Sequence, residues 1–219
     1  MGSGLVGGAD EAGRGCLLGP LVVAGVSVTP EGVKELREIG VRDSKRLSAK
    51  QRGSLYPHIL DIAEHVHWVG ITPREIDEVV TAGRRLRKLN YLEAVYFAKV
   101  IDRLDAERVT VDASDVIPRR FGDDIRGNMS GKCRIEAFHK ADRDFPVVSA
   151  ASIVAKVERD RAVEALKGAN GDFGSGYPSD PVTREFFASL MRRGEALPTF
   201  VRQSWKTWER IEQAILDSY

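Results

Sequence analysis

A chain of 219 residues, 42% hydrophobic and 30% charged, has the composition of an ordinary soluble protein, long enough to bury one sizeable core. Its formal charge of only +1 excludes a global polyanion-attracting field, so any nucleic-acid footprint must be local. Two distant cysteines, Cys16 and Cys133, form no CxxC pair and are expected to be reduced thiols.

The first residues lack the basic and apolar regions of a signal peptide. The longest apolar run, Leu17 to Val28, is too short to span a bilayer and is broken by Gly19-Pro20, so a cytoplasmic protein without a membrane span is expected. Leu5-Val6 and the run from Leu17 read as strands on either side of Gly8-Ala-Asp-Glu-Ala-Gly-Arg-Gly15. Within the second run, Leu21 to Val28 is β-branched and bounded by prolines, which suits a buried strand. Ser48 caps a helix that runs to about Ala63, and Glu64 to Ile71 alternates as a half-buried strand does. Thr72-Pro73-Arg-Glu75 combines a cap, a first-turn proline and a capping-box acid, so a short helix follows. A long helix is expected over roughly Arg84 to Leu104, then strands at Arg108 to Asp112 and Cys133 to Phe138. A helix runs from Pro146 to about Leu166, a glycine-rich loop covers Gly168 to Ser179, Asp180-Pro181 opens another helix, and a last helix covers Thr207 to Leu216. Strands with alternating helices, then helices alone, predict an α/β domain with a mixed sheet and a helical C-terminal extension.

Adjacent carboxylates at a strand end, Asp10 and Glu11, repel one another unless a cation lies between them. The flanking glycines let backbone approach something large, and with an arginine between them this pattern points to phosphate chemistry. Asp112 closes an apolar run, so its carboxylate projects at a strand terminus where open α/β sheets hold ligands, and Asp142 precedes the helix that Pro146 opens. Three or four such carboxylates suit two hard cations roughly 4 Å apart, an arrangement that hydrolyses phosphodiesters. Spacing alone does not choose among them and Asp43, Asp115, Asp123, Asp124 or Asp144. Ser149, Ser152 and Lys156 share one helix face, where two hydroxyls and an ammonium would suit phosphate oxygens; a tightly packed, serine-tolerant helix is the plainer alternative. The basic groups Arg84-Arg85 with Arg87-Lys88, Arg119-Arg120 and Arg192-Arg193 read as solvated helix faces.

In these segments the chain resembles the type 2 ribonucleases H (ribonuclease HII), closer to their archaeal and eukaryotic branch. The resemblance is carried by Asp10-Glu-Ala-Gly-Arg-Gly15 with Gly19-Pro20, Asp43-Ser-Lys45, Val111-Asp112-Ala-Ser114, Lys140-Ala-Asp142, Ser149-Ala-Ala-Ser-Ile-Val-Ala-Lys156 and Gly174-Ser-Gly-Tyr-Pro-Ser-Asp-Pro181, in order along nearly the whole chain. It implies a ribonuclease H-like fold with a central mixed five-stranded sheet flanked by helices. A catalytic domain over residues 1–170 and a helical extension over 171–219 flanking the substrate groove are expected. It implies that Asp10, Glu11, Asp112 and Asp142 form the catalytic, metal-binding set for Mg²⁺ or Mn²⁺.

The activity it implies is cleavage of the RNA strand of RNA/DNA hybrids. Cleavage at the 5′ side of ribonucleotides embedded in duplex DNA is implied as well, leaving 3′-hydroxyl and 5′-phosphate ends in ribonucleotide excision repair. The 2′-OH alone marks a ribonucleotide, and the resemblance implies that Gly13, Arg14 and Gly15 approach it while Tyr177 stacks on the next sugar. Asp43, Ser44, Lys45, Arg46, Ser149, Ser152 and Lys156 are the remaining expected substrate contacts, the cations among them positioning phosphates without reading sequence. Nucleic acid is the expected partner, bound by a monomer. A type 3 ribonuclease H, lacking strict junction preference, and a non-catalytic hybrid binder are the alternatives; Gly13-Arg14-Gly15 with Gly176-Tyr177 argues against the first, and the four acids against the second.

Overall fold

A computed structural model of the chain describes residues 4–41, 47–82 and 88–205. Five strands, β1 (Val6–Ala12), β2 (Leu21–Val28), β3 (His65–Ile71), β4 (Arg108–Asp112) and β5 (Arg134–Phe138), form one sheet in the order β3-β2-β1-β4-β5. β1 pairs antiparallel with β2 and β2 with β3, whereas β1–β4 and β4–β5 are parallel, so the sheet is mixed as expected. Around it lie α1 (Pro30–Glu38), α2 (Ala49–Ile62), α3 (Pro73–Thr81), α4 (Lys88–Ile101), α5 (Pro118–Asn128), α6 (Ala141–Asp144), α7 (Pro146–Asn170) and α8 (Pro181–Arg192). None of these helices is long and apolar enough to cross a membrane.

The two sheet faces bury separate clusters. On one, Ala9, Val23, Val109 and Val111 pack under α4 and α5, where Phe97 and Phe121 meet edge to face at 5.2 Å between centroids. On the other, Ala24, Val26 and Val28 pack under α7, with Leu36 of α1 and Ile59 of α2 completing the layer. β2 is buried along its full length, which explains its unbroken apolar run. A third cluster joins Leu17 and Leu18 to Val163 of α7 and to Phe173, Phe187 and Phe200 of the C-terminal part.

Local chemistry accounts for most element ends. Ser48 with Gln51 and Thr72 with Glu75 form reciprocal capping boxes at α2 and α3, as their sequences predict. Helix α1 was not anticipated, although Thr29-Pro30-Glu31 repeats the cap-proline-acid signal of α3. Helix α5 has no side-chain cap at Ile117, and only Pro118 at its first position signals its start in the sequence. Helix α7 runs to Asn170, beyond the expected Leu166, and stops where Gly171 takes φ +81°. Leu17 and Leu18 are not strand: the β2 ladder begins at Leu21, and Leu18 makes an isolated bridge to Val201. The start of the helix expected from Arg84 and the helix expected over Thr207 to Leu216 lie outside the described residues.

Candidate active site

The parallel register of β1 and β4 builds the site. Val6 to Ala9 pair with Arg108 to Val111, so Asp10 and Asp112 are the next residues along two neighbouring strands. Side chains alternate along a strand; Ala9, Val109 and Val111 face α4, so Asp10 and Asp112 both face α7. The third acid arrives by a turn. After β5, Lys140 adopts a left-handed conformation (φ 58°) that reverses the chain into α6, and the Ala141 N–H donates to Asp112 Oδ1 at 3.3 Å. Asp142 is thereby brought over the strand ends, and Asp10, Asp112 and Asp142 each offer an oxygen within 4.8 Å of the others. Gly8 permits this closeness: a Cβ there would collide with the backbone of Val147 and Val148, which seats the first turn of α7 directly on β1.

Asp10 is 5% exposed. Burial first, and then the Asp112 carboxylate, push its pKa up to about 6, against a bond from Ser152, the Lys156 ammonium and the Glu11 N–H. The Glu11 N–H lies 2.8 Å from Asp10 Oδ1, and Lys156 Nζ lies 2.8 Å from Ser152 Oγ. The expected α7 face is therefore real, but Ser149 and Ser152 are fully buried, at 1% and 0% exposure, so their hydroxyls lie behind the carboxylates in this state. Ser149 Oγ has no hydrogen-bond partner among the described residues.

Glu11 alternates to the opposite face, beneath α4. Burial, then Asp10 and Glu93, push its carboxyl well above the usual range, with Arg14 opposing. Its Oε2 is buried without a hydrogen-bond partner among the described residues. The converging oxygens of Asp10, Asp112 and Asp142, a group that does not include Glu11, form an all-oxygen donor set whose mutual repulsion fits a hard divalent cation such as Mg²⁺ or Mn²⁺.

The remaining expected contacts divide clearly. Gly13 takes φ +87°, and a Cβ on it would overlap the Arg159 side chain, while around Gly15 there is open space. The loop they form is stitched to the C-terminal part: Leu17 N–H donates to Gly176 O and Arg202 N–H to Leu17 O, both at 2.8 Å. Tyr177 sits beside it, 40% exposed, with the Arg159 guanidinium carbon 5.2 Å from its ring centroid. Burial, then Cys16, push the Tyr177 hydroxyl up to about 12. Asp43, Ser44, Lys45 and Arg46 lie outside the described residues. His139 Nε2 lies 3.2 Å from Val116 O.

Sequence reasoning passed over Glu93, Arg159 and Arg202. Arg159 had a signal, three residues after Lys156 on the same helix face. Arg202 had none: it is a fully buried arginine whose guanidinium donates to Gly19 O at 3.0 and 3.2 Å and to Arg14 O at 2.9 Å.

Comparison with known proteins identifies the family and the fold. The ribonuclease HII family model matches residues 7–208. The ribonuclease HII of Cenarchaeum symbiosum is 48% identical over 208 residues, covering 95% of this chain and 98% of its own. Among solved structures, the ribonuclease H2 of Pyrococcus horikoshii OT3 is similar with a TM-score of 0.85 and 40% identity, covering 97% of this chain and 99% of that one. The ribonuclease HII of Archaeoglobus fulgidus, solved as a PCNA complex, is similar with a TM-score of 0.86 and 42% identity, covering 98% of this chain and all of that one (100%).

Proposed function

The chain belongs to the ribonuclease HII family, hydrolases with ribonuclease H activity on RNA/DNA hybrids, and from that premise we propose how it selects and cuts its substrate. The proposed activity is a metal-dependent endonuclease that cleaves the RNA strand of hybrids and also the 5′ side of ribonucleotides embedded in duplex DNA. It leaves 3′-hydroxyl and 5′-phosphate ends. The observation that carries this reading is the convergence of Asp10, Asp112 and Asp142 at two strand ends, beside the open loop at Gly15.

Asp10, Asp112 and Asp142, with Glu11 from the other face, would hold Mg²⁺ or Mn²⁺. Bound there, such ions supply charge neutralisation at the scissile phosphate and a more acidic water. The protein's own part is positional. Ser152 and Lys156 hold Asp10 from behind, and the α6 turn holds Asp112 through the Ala141 N–H. Backbone groups of Gly13, Arg14 and Gly15 approach the 2′-OH, which both donates and accepts. The half-exposed Tyr177 ring, backed by Arg159, offers its face to the sugar that follows. Lys45, Arg46 and Lys156 position phosphates and add affinity without reading sequence. A single chain working in ribonucleotide excision repair in the cytoplasm is the setting this reading implies.

Cleavage of duplex DNA bearing one ribonucleotide, alongside a continuous hybrid, tests the proposal when each is run with Mg²⁺, with Mn²⁺ and with chelator. Incision of both substrates, abolished by chelator, is the expected result. Cleavage of the hybrid alone would favour the type 3-like alternative.

A further inference from the structure

We infer that Glu93 is a positioning residue: its ion pair with Arg14 and its bond from Ser114 clamp the Gly13–Gly15 loop to the strand end that carries Asp112. The inference deepens the proposed function and rests on reading Gly13–Gly15 as the ribose-contacting loop.

Glu93 is fully buried on α4, at 0% exposure, in a helix whose neighbouring positions Ala94 and Phe97 belong to the core. A carboxylate in such a place is costly unless it is paired and hydrogen-bonded. Its Oε2 takes two partners, while its Oε1 is buried without a hydrogen-bond partner among the described residues. Arg14 Nη1 lies 2.5 Å away, and Ser114 Oγ donates to the same oxygen at 2.8 Å. The other arm of the Arg14 guanidinium donates to Asn90 Oδ1 at 2.6 Å. Asn90 precedes Glu93 by three residues, so the planar fork of one arginine spans a turn of α4. Asn90 in turn donates to Asp115 Oδ2 at 2.9 Å.

Thus one turn of α4 grips two loops at once. One is the loop that leaves β1 after Asp10 and Glu11, and the other leaves β4 after Asp112. The backbone of the first loop is held separately, because Arg202 donates to the Arg14 carbonyl at 2.9 Å. With its side chain turned inward and its carbonyl occupied, Arg14 is an anchor, and its charge serves Glu93 rather than a phosphate. The loop face at Gly15 remains open for substrate. Rigid support of this kind matters because small misplacements of a substrate-positioning group cost large factors in rate.

The test uses purified Glu93→Gln, Arg14→Lys and the double variant. Steady-state cleavage is measured on a continuous RNA/DNA hybrid and on a single-ribonucleotide duplex, with Mn²⁺ titrated for each protein. Each single variant is expected to lose about tenfold in kcat/KM on both substrates. The double variant should lose no more than about tenfold, because the same interaction is broken once. The Mn²⁺ concentration for half-maximal rate should shift far less than the roughly tenfold rate loss, since Asp10, Asp112 and Asp142 are untouched and only the charges beside Glu11 change, a result that general loosening of the site would not give. Losses that multiply to about a hundredfold in the double variant, or wild-type kinetics in Glu93→Gln, would overturn the inference. Should Glu93→Gln fail to fold, Arg14→Lys decides alone, and wild-type kinetics there would have the same consequence. If the wild type cuts the hybrid but ignores the embedded ribonucleotide, the junction reading fails, while the hybrid data still decide the role of Glu93.

Discussion

Asp10 and Asp115 are both buried aspartates near the carboxyl ends of neighbouring strands, yet they titrate in opposite directions. Burial raises the pKa of each. At Asp115 the bonds from Arg120, the Ile117 N–H and Asn90 outweigh it and bring the pKa down to about 2. At Asp10 the neighbouring Asp112 carboxylate adds to burial and outweighs Lys156, and the pKa stands at about 6. The fold bonds a counter-charge directly to Asp115, whereas at Asp10 burial and Asp112 outweigh the Lys156 ammonium. That difference separates an acid that ties loops together from an acid kept for a cation, and spacing in the sequence does not reveal it.

The largest expected contrast is in rate. Asp10→Asn, Glu11→Gln, Asp112→Asn or Asp142→Asn should abolish measurable cleavage, a loss on the order of a thousandfold or more, because a cation ligand acts in the transition state. The same substitutions should leave thermal stability unchanged or raised, since each removes a repulsion. Asp115→Asn should do the reverse, costing about 1–3 kcal/mol of stability while the folded fraction still cuts. Cleavage assays paired with thermal melts would break the comparison if Asp112→Asn proved near wild type in rate.

Next comes pH, measured on the metal-free protein. Asp10 has a folded pKa above its unfolded value of 3.8, so the folded state holds the extra proton between about 4 and 6, and stability falls as pH rises through that window. The fall is on the order of 3 kcal/mol. Asp115 is depressed, so its contribution is present above 3.8 and is lost as pH falls toward about 2. Melting curves of Asp10→Asn should lose the Asp10 share of the first slope, leaving that of the raised Glu11, and keep the second. Mn²⁺ at a hundred times its dissociation constant should add about 2.7 kcal/mol to wild type and less to Asp112→Asn.

Smaller effects sharpen the picture outside the carboxylates. Tyr177→Ala should lower cleavage at a single embedded ribonucleotide about five- to hundredfold at subsaturating substrate, the worth of one stacking contact, while Tyr177→Phe keeps most activity. Unaltered cleavage of both substrate types by Tyr177→Ala would leave junction selection to the Gly13–Gly15 loop. Lys156→Ala should weaken binding about uniformly across sequences and reduce the salt slope by about one unit. An unchanged slope would mean that Lys156 serves only Ser152 and Asp10.

Several parts of this protein were legible without coordinates. The Asp10-Glu11 pair, the capping boxes at Ser48 and Thr72 and the shared face of Ser149, Ser152 and Lys156 all follow from local rules, because caps and periodicities act over three or four residues. Other parts were not. That Asp10 and Glu11 face opposite sides of the sheet follows from the alternation of a strand that extends through Ala12, whereas the expected strand stopped at Val6. That Asp142 joins Asp10 while Asp144 does not depends on the left-handed turn at Lys140 and the seat of α6 on β4.

Sequence by itself determined most of the elements, the mixed α/β class and, through its ordered motifs, the family, and it singled out Asp10, Asp112 and Asp142, which the fold brings together. Tertiary structure alone decided which acids are left uncompensated, and why Arg14 and Arg202, 188 residues apart, hold one loop. The physical reason is range. Propensity, capping and periodicity are set by neighbours along the chain, whereas burial and counter-charge are set by neighbours in space, and the parallel pairing of β1 with β4 brings those together across about a hundred residues.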